Sequence, residues 1–65
     1  MDKEVRWLRE IDRISDKLTN LRKMNERDDL SDGFKAINDE VMTELALRKK
    51  DLVNKVVDER LKGYE

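Results

Sequence analysis

Arg6, Arg9, Arg13 and Lys17 follow one another at steps of three, four and four residues. On a helix this spacing sets four cations in a row along one face, and such a row can track the phosphates of a nucleic acid. Glu10, Asp12 and Asp16 are interleaved with it, and Arg6 stands four residues before Glu10. The commoner outcome of that pattern is a solvated, ion-paired helix surface. Carboxylates are the other abundant reactive group. A pair of them does acid–base work only inside a pocket that raises one pKa, and two thin helices enclose no such pocket. The chain has no His and no Cys, which removes the ligands that transition metals favour and the nucleophile–base pairs of covalent catalysis. The sequence therefore predicts no catalytic residue, no metal ligand, no cofactor and no small-molecule substrate. It predicts a protein that is not an enzyme.

Of the 65 residues, 15 are Lys or Arg and 16 are Asp or Glu, so 48% are charged while 37% are apolar. One small domain spanning 1–65 is the ceiling, and a core of this size contributes roughly 3–5 kcal/mol net. Without a disulfide or a metal, the expected source of further stability is association with another chain. The net charge is −1, without the basic excess usual in a nucleic-acid module. Nucleic acid accordingly ranks behind a protein as the expected partner. No apolar run exceeds three residues, which predicts no membrane span or signal segment and a cytoplasmic chain.

The elements that must carry these residues are two helices. Pro is absent, only two Gly occur, and Glu, Lys, Arg and Leu, all good helix formers, abound. In the first segment Trp7, Ile11, Ile14, Leu18 and Leu21 recur at steps of four, three, four and three, a heptad seam that predicts a helix over about 2–26. In the second, Phe34, Ile37, Val41, Leu45, Arg48, Leu52 and Val56 recur at steps of three, four, four, three, four and four. That is an eleven-residue repeat, which predicts a straighter helix over about 32–62. Periodicity stops at 27–31, the expected turn, where Asp29 or Ser31 can cap the second helix and Leu30 can tuck against the core. Arg60, Lys62 and Gly63 form the closing signal.

Folding the segments into an antiparallel hairpin about residue 29 pairs positions whose numbers sum to about 58 or 59. Leu21 then meets Ile37, Leu18 meets Val41, Ile14 meets Leu45, Ile11 meets Arg48 and Trp7 meets Leu52. Arg48, an unpaired charge in the seam, needs Glu44 or the face of Trp7 as partner, or forms a polar layer that fixes register. Two helices leave open flanks, so the expected fold class is an all-α hairpin that dimerises into a four-helix bundle. Its oligomer core is Trp7, Ile11, Ile14, Leu18, Leu21, Phe34, Ile37, Val41, Leu45, Leu52 and Val56. The second helix is expected to overhang the first, which leaves Val5, Trp7, Leu8, Val56, Val57 and Leu61 as a partner surface. A faint second face carries Ala36, Thr43, Leu47 and Leu61. The expected function is a small regulator or adaptor that oligomerises and binds a protein through helical surfaces. The alternatives are an RNA-binding bundle that uses the Arg6, Arg9, Arg13 and Lys17 row, and a purely structural oligomerisation element.

Overall fold

A computed structural model describes residues 2–63, which form two α-helices and no strand: α1, Lys3–Asn25, and α2, Asp32–Lys62. Each start is capped. The Asp2 carboxylate accepts the Glu4 N–H at 3.3 Å, and the Ser31 hydroxyl accepts the Phe34 N–H at 3.2 Å. Glu4 and Asp32 stand in the first turns, with Arg22, Lys23, Arg60 and Lys62 in the last turns, so charge opposes the helix dipole at all four ends. Gly63 closes α2 in the right-handed region, with φ −69°. It needs none of glycine's special freedom. In the turn, the Arg27 guanidinium donates twice to the Asp29 carboxylate, at 3.1 and 2.9 Å, and Leu30 is half-buried.

The helices lie antiparallel in a rod of 53 × 17 × 14 Å, one layer thick. Ile14, Leu18, Leu52 and Val56 are buried, and Trp7, Ile11, Met42 and Leu45 pack against them. All five seam residues of α1 are buried or half-buried. Along α2 the inward positions are instead Lys35, Asn38, Met42, Leu45, Lys49, Leu52, Val56 and Glu59. Their steps alternate four and three, so the expected eleven-residue repeat gives way to a heptad like that of α1. Phe34, Ile37 and Val41 are 50%, 59% and 39% exposed. At the turn, α2 is therefore rotated by one residue, roughly 100°, from the purely apolar alignment.

A polar pair accompanies the rotation. Asn38, only 6% exposed, donates its side-chain amide to the Asn25 carbonyl oxygen at 2.8 Å. Asn25 in turn donates to the Asp39 carboxylate at 2.9 Å and to the Lys35 main-chain oxygen at 3.3 Å. Described residues contain no buried side-chain polar atom without a partner, so the arrangement avoids the desolvation penalty that an orphan amide would carry. At the other end the Arg60 guanidinium donates to the Glu4 carboxylate at 2.6 Å. These two links pair positions whose numbers sum to 63 and 64, about one helical turn beyond the expected register. Ile37 and Val41 consequently stay at the surface rather than covering Leu21 and Leu18. The expected overhang of α2 is also absent, because Arg60 lies level with Glu4.

Leu52 is 1% exposed. Leu52→Ala should cost about 2–5 kcal/mol, comparable with the whole stability of a hairpin this small, and abolish a cooperative thermal melt followed by far-UV circular dichroism. Asn38→Ala strands the Asn25 carbonyl and should lower the midpoint by an amount equivalent to about 1–3 kcal/mol. Leucine at both Asn25 and Asn38 removes the desolvation cost together with the bonds and should raise the midpoint. An unchanged midpoint in Asn38→Ala would mean that this pair does not set the register.

Candidate functional site

The expected cationic row and Arg48 come together on one flank of the hairpin. Arg6, Arg9, Arg13 and Lys17 of α1 face Leu45 and Arg48 of α2 across an open groove of about 500 Å³ floored by Ile14. A second hollow of about 340 Å³, lined by Lys3, Arg6, Trp7, Glu10 and Arg48, continues it toward the open end. Because Arg6, Glu10 and Arg48 line both, the two adjoin as a basic channel that the Arg48–Glu10 ion pair crosses. Six cations less one carboxylate leave it at +5. The chain as a whole is −1, so the remaining surface carries −6. A balanced composition thus hides a segregated charge distribution, and the local field, not the net charge, is what a ligand meets.

Arg48 corrects the expectation that it sits in the seam. It lies on the flank, its Nε donating to the Glu10 carboxylate at 3.2 Å, with side chains 49% and 42% exposed. Neither Glu44 nor a cation–π contact is its ion-pair partner. A pair in this much water contributes little to stability. The same holds for Lys55–Asp51 and Lys62–Glu59, both at 3.8 Å. The polar layer expected at Arg48 is instead the Asn25–Asn38 pair, and the half-buried cations of the seam are Lys35 and Lys49, the latter one residue on from Arg48.

Two apolar patches remain exposed. One lies near the turn, on the flank of the basic groove. Phe34, Ile37 and Val41 continue the stripe of Leu45 and Arg48 at helical steps, and Met24, also exposed, stands two turns beyond Lys17 on α1. The other lies near the open end on the opposite flank, around the Glu4–Arg60 ion pair. Leu8 follows Glu4 by four residues, Val57 precedes Arg60 by three and Val53 precedes Val57 by four, while Leu61, half a turn round α2 from the buried Leu52, faces outward. Val5, Leu8, Val57 and Leu61 of the expected partner surface are exposed, but Val56 is 6% exposed and Trp7 half-buried. Val56 therefore belongs to the core, not to a partner surface. Of the faint second face, Leu47 and Leu61 are the large exposed residues.

Among the described residues no group of carboxylates is arranged to hold a metal, and no helix is long and apolar enough to cross a membrane. No family model, curated protein or solved structure matches the chain. The surfaces themselves are thus the basis for a functional reading. The sequence reading missed Lys3 as a member of the basic channel. It also missed Asn25 and Asn38, because a search for apolar spacing passes over a buried amide.

The exposure of the Arg48–Glu10 pair gives a direct check. Arg48→Ala should change the free energy of unfolding by less than about 1 kcal/mol, measured by urea denaturation. A loss of several kcal/mol, as for a buried pair stripped of one partner, would return Arg48 to the core.

Proposed function

We propose that this chain is a small non-enzymatic regulator or adaptor that acts through helical surfaces, pairing with a second copy of itself at the turn-end patch. The observation that carries the reading is the exposure of Met24, Phe34, Ile37 and Val41 together on one flank of a rod one helix layer thick. Neighbouring apolar side chains of this size mark association sites more often than isolated ones do. A second hairpin laid over them gives a four-helix assembly, the arrangement in which two-helix units close a core. The two copies meet at the patch rather than along the full flank. Toward the open end both would present the +5 channel, and like charges oppose close approach.

The open-end patch of Leu8, Val53 and Val57, with Leu61 beyond it on the outer face of α2, then remains for a protein partner, in the manner of an apolar helix face laid into a groove. It sits on the other flank, so both contacts can be made at once. Ile37→Glu and Leu61→Glu separate them. By sedimentation equilibrium the parent chain should have about twice the chain mass, Ile37→Glu the monomer mass, and Leu61→Glu the parent mass. A parent chain that is monomeric at all concentrations, with a melt independent of concentration, overturns the pairing. Loss of dimer in Leu61→Glu alone would assign self-association to the open end instead.

A further inference from the structure

We infer that the basic channel is a binding site for single-stranded nucleic acid, with Trp7 as the platform on which an unpaired base stacks. Three independent features of the structure converge on that ligand. First, the cations come from both helices. The α1 row of Lys3, Arg6, Arg9, Arg13 and Lys17 covers fifteen residues, about 21 Å of helix from first to last, and Arg48 of α2 closes the channel from the other side. The row repeats every three or four residues, so charges recur every 4.5–6 Å or about that. A linear polyanion can engage several at once, whereas a compact anion would reach only two or three. Four of the six cations are Arg, whose planar fork meets phosphate oxygens in pairs.

Second, the aromatic group is in the right place. Trp7 is the chain's one Trp. Part of its surface packs on the core cluster and part lines the channel beside Lys3, Arg6 and Arg48. A charged groove that follows the backbone, with an aromatic face beside it for a base, is the working design of single-strand binders. A duplex keeps its bases stacked and offers nothing to Trp7. Third, the channel has a poor complement for an acidic peptide. The groove between the cations has only Ile14 and Leu45 as apolar lining, little for the apolar anchors that supply most of the affinity in peptide recognition. The single carboxylate, Glu10, is held by Arg48. An arriving phosphate competes with it for the same guanidinium.

The site needs neither the second copy nor the open-end patch, so its test is separate from that of the dimer. Trp7 fluorescence and anisotropy of a labelled twelve-nucleotide oligouridylate would be followed across a salt series, with oligothymidylate, a hairpin duplex and polyglutamate as comparisons. The expected result is binding of either single strand with quenched Trp7 emission, and a logarithmic salt slope near −3, equivalent to about four phosphate contacts. Arg13→Glu should weaken binding about tenfold and reduce the slope by about one contact. Lys50→Glu makes the same charge change about 200° round α2 from Arg48 and should leave binding within about twofold. Glu10→Gln should tighten it severalfold. Dichroism spectra matching the parent would confirm that each variant is folded. No binding at low salt, equal losses in Arg13→Glu and Lys50→Glu, or binding without any change at Trp7 would overturn the assignment. Preference for the duplex or for polyglutamate would overturn it in favour of those ligands.

Discussion

The buried amide pair at the turn end governs the rest of the hairpin. Two helices in contact share one face each, and a choice of that face on α2 is a choice of everything left outside. The Asn38 side chain points at α1 and is satisfied only by Asn25, whose own amide is spent on Asp39 and the Lys35 carbonyl. Rotating α2 to bury Ile37 and Val41 would gain their apolar area but would break the Asn25–Asn38 bond, worth about 0.5–1.5 kcal/mol net, and turn the half-buried Met42 outward. In a chain whose total stability is only a few kcal/mol, terms of that size bear on the rotation. Leu45, Leu52 and Val56 are compatible with either face, so they do not oppose it.

The surface follows from that rotation. Arg48 swings from the seam to the flank, where it meets Glu10 and completes the basic channel. Phe34, Ile37 and Val41 swing out with it and form an apolar patch on the same flank. The register shift has the complementary effect at the open end. By drawing Arg60 level with Glu4 it removes the overhang, and Val57 and Leu61 are exposed because of the direction they face, not because they lack a neighbouring helix. Charge and apolar surface are thereby sorted along the rod: the apolar patch and the cations share one flank at opposite ends. Association through the patch and capture of a polyanion in the channel are geometrically compatible. Electrostatics also keeps them apart, since the field that attracts phosphate repels a second copy of the same channel, more strongly at low salt.

The fold class was legible in the sequence, and so was half of its packing. Absence of Pro, abundance of helix formers and the cap residues at Ser31 and Asp32 dictate two helices and one turn through local energetics that need no tertiary contact. The α1 seam from Trp7 to Leu21 was legible too, because its apolar residues occupy one stripe and the opposite side is charged, leaving a single way to bury it. The cationic row on α1 could be read for the same reason. Its spacing is a property of one helix.

What the tertiary structure alone decided is the orientation of α2. Its apolar residues lie on both flanks of the inward face, with Ile37 and Val41 on one side and Val53 and Val57 on the other. Hydrophobic spacing within the helix therefore admits several faces of similar merit. The degeneracy is broken by a hydrogen bond between residues thirteen apart, and no feature of either residue in isolation announces that bond. Asn25 alone looks like the end of a seam, and Asn38 alone looks like surface. Only when the turn brings the two amides within 2.8 Å does each make the other's burial favourable. Arg48's place in the channel, and the patch beside it, are consequences of that single pairwise term.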